Sequence, residues 1–187
     1  NSRELMLAAI NHEKLDRVPT DIWATPEVWN KLWQHFGSDA DVRERLHIDG
    51  IASIEPKYDG PSLPTITNDE IVDYWGIRTK RISHATGVYD EIVHNPLSTA
   101  ETIDDLEQYR WPHPDWFNYS QMRSIAKKGR QKQLVMCGYM AIFFQHNKLR
   151  GLKTSLLDPF IRPEFTDYLL DRLSNFLYEH HLRMFEA

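Results

Sequence analysis

SRELMLAAINHEKLDRVPTDIWAT (residues 2–25) reads as a helix, a tight connection and then a strand. Leu5, Ala8 and Ala9, flanked by Met6 and Ile10, form a helical stripe behind Ser2, the candidate N-cap. Asp16-Arg17 breaks that pattern. Residues 18–23 are a short, largely apolar run with β-branched members, which predicts a buried strand. Pro19 is tolerable near a strand start.

The same reading extends along the chain. Residues 26–36 start on Pro26 and place Val28, Trp29, Leu32, Trp33 and Phe36 at helical spacing, with Gly37 as the stop. Residues 41–46 predict a short helix. GIASI (50–54) predicts a second buried strand, and EPKYDGPSLP after it a loop. Residues 70–95 hold two runs rich in aromatic and β-branched residues around SHAT, a β-hairpin outside the main pattern. Helices are expected over 99–109 and 119–128, with WPHPDWF (111–117) as a Pro-broken linker between them. QLVMC (133–137) predicts a third buried strand with its exit at Gly138-Tyr139. Helical stretches at 141–149 and 151–157 precede a long amphipathic helix over 164–185. Its apolar side carries Phe165, Leu169, Leu173, Phe176, Leu177 and Leu182. Strands separated by helices imply parallel pairing and an α/β architecture.

Composition narrows the function classes. The chain has 187 residues, enough for one domain with a sizeable core. A formal charge of −5 argues against a nucleic-acid or anionic-membrane surface. No apolar run approaches the roughly 20 residues that span a bilayer, and the acid-bearing N-terminal helix is unlike a signal peptide. Cys137 is the single cysteine, so no internal disulfide forms and a reducing, cytoplasmic setting fits. It also excludes a Cys-rich structural zinc site. Six Trp, eight Tyr and eight Phe suit either a well-filled core or a ring-lined pocket.

Three stretches resemble the uroporphyrinogen decarboxylase superfamily, which includes the corrinoid-dependent methyltransferases. ELMLAAINHEKLDRVPTDIW stands where that superfamily carries "R…AL…EPDRVPV" before its first strand. GIRTKRISHATGVYDEIVHNPLSTAETIDDLEQYRWPHPD is similar to "WG…R…G.Y.E…PL…T.EDLE.Y.WPDPD". KLRGLKTSLLDPFIRPEFTDYLLDRL resembles "LRG.E..L.D…PE….LL..L". The resemblance implies a (β/α)8 TIM barrel with its active site at the carboxyl ends of the strands. It further implies that residues 1–187 are the N-terminal portion of one barrel domain, with the hairpin at about 70–95 as an excursion. A barrel typically takes about 250 residues.

Within the superfamily, the decarboxylases carry "RQAGR" after the first strand, where arginines hold substrate carboxylates. Here ATPEVWNKLW (24–33) has no arginine. Their acidic "FSDIL" after the second strand is replaced by SIEPKY (53–58), with Glu55 the nearest acid. A polyacidic porphyrinogen needs cationic clamps, so the resemblance points to methyl transfer, with porphyrinogen decarboxylation as the alternative. In the methyltransferases a His-x-Cys and a later Cys in the second half of the barrel hold zinc. The resemblance thus implies no cofactor within this portion, a zinc site beyond it and a corrinoid carried by a partner protein. A third reading is a non-catalytic half-barrel, whose open edge a second copy or a barrel-completing chain would cover.

Barrel logic selects strand exits as candidate site residues. The first exit offers Asp21, Trp23 and Thr25, and the second offers Glu55, Lys57 and Tyr58. The third offers Tyr139 and, further on, His146, which falls near the Tyr of the decarboxylase motif "GAPxTLASY". Asp21, Glu55 and His146 are the candidate acid–base groups. Trp23, Lys57, Tyr58, Tyr139 and the hairpin's His84 are candidates for binding a small-molecule substrate. Four of them have an ordinary alternative: His146 as a helix-surface histidine, Glu55 and Lys57 as a solvated loop pair, His84 as a turn residue. Cys137, ending a buried strand, reads better as packing than as a nucleophile. His180-His181, adjacent on a helix, reads as a solvated helix end.

Overall fold

The computed structural model describes residues 1–36, 42–66, 69–85 and 87–187. The helix stop expected at Gly37, the helix start at Asp41 and Thr86 of the hairpin tip lie outside the described residues. The helices are α1 (Ser2–Ile10), α2 (Pro26–Phe36), α3 (Val42–Arg45), α4 (Ile103–Gln108), α5 (Met122–Gly129), α6 (Ile142–Arg150), α7 (Leu152–Ile161) and α8 (Pro163–Glu186). The strands are β1 (Ile51–Ile54), β2 (Lys57–Tyr58), β3 (Glu70–Val72), β4 (Arg78–His84), β5 (Gly87–His94), β6 (Phe117–Asn118) and β7 (Leu134–Cys137). The chain groups into two compact units, residues 1–56 with 120–138 and 187, and residues 57–119 with 139–186. The architecture is mixed α/β with small sheets, and the described residues form no closed barrel.

In the first unit β1 and β7 pair in parallel, in register from Ile51 opposite Leu134 to Ile54 opposite Cys137. Helix α5 packs on both strands and α1 packs on β7. This is the parallel pairing expected of strands separated by helices. Helix α1 is capped by Asn1, whose side chain accepts from the Glu4 N–H at 3.0 Å, and not by Ser2. The strand expected over 18–23 does not form. Val18 is 78% exposed and Trp23 83% exposed, and Pro19 brings no N–H to a ladder. Among the bonds that tie this stretch to the unit, Thr20 O accepts from Asp49 N at 3.0 Å and Gly50 N at 3.1 Å.

The second unit is built on α8. Phe165, Leu169, Leu173, Phe176 and Leu177 are buried along one side and pack with Trp75, Ile77, Leu97, Leu106 and Leu149. The stripe continues through His180 and Met184, both buried, while Leu182 is partly exposed. His180 lies seven residues after Leu173, two helical turns on the same face. The expectation of a solvated His180 is therefore corrected. The excursion at 70–95 is a three-stranded meander, β3–β4–β5, with β5 at its edge. Lys80 lies opposite Glu91 and Arg81 opposite Asp90 across β4 and β5. The predicted loop after Ile54 contains β2, which pairs antiparallel with β6 of the Pro-broken linker.

One buried ion pair joins α6 to α7. Arg150 Nε donates to Asp158 Oδ2 at 2.7 Å, and both side chains are fully buried. Arg150 Nη1 also donates to the carbonyls of Leu97 and Ala100, and the guanidinium lies 4.7 Å from the Phe165 ring centroid. Removing one partner of such a pair strands the other charge in a poor solvent. Asp158→Ala is therefore expected to cost about 3–5 kcal/mol of folding stability, checked by urea unfolding of the variant against the parent chain.

Candidate functional site

The candidate site of the first unit begins with Asp49. Its buried carboxylate accepts Arg17 Nη1 at 2.6 Å, Arg17 Nη2 at 2.7 Å and the Thr20 N–H at 2.9 Å. Thr20 Oγ1 donates to His47 O at 2.7 Å. The bidentate guanidinium holds the Asp49 carboxyl well below the usual carboxylate range. Residues 17–20 are thereby fixed to the turn before β1, and residues 21–25 continue into an open hollow.

That hollow, about 470 Å³, is lined by Asp21, Trp23, Thr25, Trp29, Arg43 and Ile51 among others. The Arg43 guanidinium sits 5.3 Å from the Trp29 ring centroid, a cation–π contact. Gly50 has φ +67, and a Cβ there would collide with the Arg43 guanidinium and the Gln133 side chain. Glycine thus serves both the left-handed turn and the approach of Arg43. The hollow offers one carboxylate, one guanidinium, one hydroxyl and two indole surfaces. Asp21 and Trp23, both selected as strand-exit residues, come together here. Arg43 and Trp29 were not selected: Arg43 reads as a charge on a short helix, and Trp29 as part of an apolar stripe.

The other candidates are placed as follows. Glu55 is exposed just past β1. Its charge, after burial, raises the pKa of Cys137 at the end of β7, so that thiol is held protonated. This favours packing over nucleophilic attack for Cys137. Lys57, Tyr58, His84, Tyr139 and His146 belong to the second unit. Lys57 is exposed on β2. Tyr58 is engaged in structure: its hydroxyl donates to Pro61 O at 2.7 Å, and its ring stacks on Tyr74 and meets Phe117 edge-on. His84 is exposed with its ring 5.7 Å from that of Tyr89. Tyr139 is 66% exposed.

His146 is buried on α6, so it is not the helix-surface histidine of the ordinary alternative. Its Nε2 makes no hydrogen bond among the described residues. Burial lowers its pKa, against the opposing pull of the Asp158 charge and with the help of Arg150. His180 is buried among Phe117, Phe176 and Tyr119. The Tyr119 hydroxyl donates to Pro114 O at 3.1 Å, so His180 Nδ1, 2.6 Å away, supplies the proton of their shared bond. Burial, reinforced by His181 and Arg183, brings the His180 pKa down to about 4.

No family model, curated protein or solved structure matches this chain. Among the described residues no three His, Cys, Asp or Glu side chains gather as a metal site.

Two outcomes follow from these charges. The Asp49 pKa is depressed by folding, so its contribution is full above about pH 3.9 and fades as pH falls further. Arg17→Ala is expected to lower the thermal midpoint by several degrees at pH 7, with the gap to the parent chain narrowing below about pH 4. Thermal scans across that range check it. The histidines act differently. His146 and His180 are harder to protonate folded than unfolded, so stability falls as pH drops below about 6.5. Urea unfolding at pH 7.5 and pH 5 is expected to show that loss, and His180→Phe to reduce it.

Proposed function

We propose that this chain belongs to a uroporphyrinogen decarboxylase-like barrel enzyme that transfers a methyl group, with a small methylated compound as substrate and a corrinoid protein as partner. The supporting observation is the order of segments in the first unit. Thr20 is hydrogen-bonded beside the start of β1, and β1 lies parallel to β7, with helices in the connections. The resemblance implies that first–second–third order for a barrel wall. The hollow opens along residues 21–25, after the first segment, and barrel enzymes work at strand ends. Asp21 and Trp23 are the residues assigned to it, and Glu55 stands at the end of the next strand. Among the described residues Arg43 is the one cationic side chain lining the hollow, whereas a porphyrinogen with many carboxylates would require several.

The small open sheets favour a second reading, in which these residues become catalytic once further strands, from this polypeptide or another, close the barrel. Both readings meet one assay. The full-length gene product is incubated with cob(I)alamin, added zinc and a panel of simple methylated compounds. Formation of methylcobalamin, followed by its absorbance, is the expected result. No methyl transfer from any donor would overturn the proposal, and coproporphyrinogen formed from uroporphyrinogen would replace it with decarboxylation.

A further inference from the structure

We propose that helix α7 is the contact of a two-fold dimer, in which the α7 of a second copy lies antiparallel across it. Helix α7 is built inside out. Its buried side chains are Ser155 and Asp158, whereas Leu152, Leu156, Leu157, Phe160 and Ile161 are all exposed. Phe160 is 86% exposed, more than any other large apolar side chain among the described residues. Single apolar residues on a surface are ordinary, but these five are not scattered. Leu152, Leu156 and Phe160 form one row at four-residue spacing, and Leu157 and Ile161 form the next. The helix cannot relieve that exposure by turning about its axis. Ser155 donates to the Asn147 side chain, and Asp158 accepts from both Arg150 and Arg162. Rotation would break the buried ion pair to α6 and leave its charges unmatched. The polar contacts within the molecule hold an apolar face towards solvent, and the gain from covering that face is left for association.

The face matches a second copy of itself. A two-fold axis applies the same patch to both sides of a contact, so the patch must be self-complementary. With the axis between Asp158 and Pro159, antiparallel α7 helices set Leu156 of one copy against Ile161 of the other, and Leu157 against Phe160. The same register brings Lys153 to Glu164, which lies in the first turn of α8. Lys153 and Glu164 are exposed, and neither makes an ion pair among the described residues. Arg162, between α7 and α8, is already engaged with Asp158 and Glu101. Each dimer forms the Lys153–Glu164 pair twice. Parallel helices would set Lys153 against Lys153, so charge selects the antiparallel sense. The dimer is independent of the chemistry proposed for the first unit.

A contact built on one short helix is weak, so the test is sedimentation velocity of the full-length gene product across about 1–500 μM. A concentration-dependent dimer is expected. Phe160→Glu is expected to leave only monomer over that range, because closing the contact would bury a carboxylate without a partner. The altered side chain is exposed, and circular dichroism verifies that the variant folds. Lys153→Glu sets acid against acid twice in each dimer and is expected to weaken association by about tenfold or more. Combining it with Glu164→Lys reverses both charges and is expected to restore association to near the parent value. A parent chain that stays monomeric, as it would if another stretch of polypeptide or a different protein covered α7, would overturn the proposal. So would a dimer indifferent to Phe160→Glu, or one that the double charge reversal fails to restore.

Discussion

The buried carboxylate of Asp49 is the constraint on which the first unit's site depends. Residues 18–25 have neither a helix nor a ladder to hold them. The two Arg17 bonds and the Thr20 N–H at Asp49, together with the bonds of the Thr20 carbonyl and hydroxyl, keep them beside β1. Arg17 is half exposed, so solvent screens its end of the pair. Asp49 is buried, so its end has few other ways to be satisfied. The pair therefore acts less as a source of raw stability than as a selector of one path for the chain. That path delivers Asp21 and Trp23 to the hollow, while Gly50 leaves room for Arg43 to face them. The second unit uses a related device. Arg150 collects Asp158 and two carbonyls in a fully buried cluster, and so fixes how α6 meets α7.

Much of the secondary structure was legible because it rests on local periodicity. The apolar spacing of residues 26–36 gave α2 with both of its ends, and short apolar runs gave β1 and β7 within a residue. The failures come from tertiary terms. Residues 18–23 have strand-like composition, but strand formation needs a continuous partner and Pro19 removes a donor. His180 lies on the apolar stripe of α8 by spacing, yet residue type argues for solvent. Its burial depends on the hydrogen bond between His180 Nδ1 and the Tyr119 hydroxyl, a partner 61 positions away in the chain that no local pattern announces. The cap of α1 shifted by one residue, because Asn1 and Ser2 are both competent and only geometry chooses between them.

The candidate site was legible in part. Strand-exit reasoning selected Asp21 and Trp23, and both line the hollow, although the strand expected over 18–23 does not form. It also selected Tyr58, which the fold uses up in stacking with Tyr74 and bonding to Pro61. An aromatic residue in a loop looks the same in sequence whether it serves ligand or core. Arg43 escaped notice for the opposite reason. Its value comes from Trp29 and Gly50, which are separated from it in sequence and meet it only in the folded unit.

The meander has a bearing on how copies of this chain behave in concentrated solution. Strand β5 is an edge of eight residues, with Val88, Tyr89, Ile92 and Val93 partly exposed. Such an edge is ordinarily a template for strand addition and fibre growth. At its centre stand Asp90 and Glu91, each answered within the molecule by Arg81 and Lys80 of β4. A second β5 brought antiparallel about that centre would set Asp90 against Glu91, acid facing acid at both central positions. The same two residues thus reconcile opposite demands: attraction inside one molecule and repulsion between two. The placement of the two acids opposes the pairing of one β5 with another.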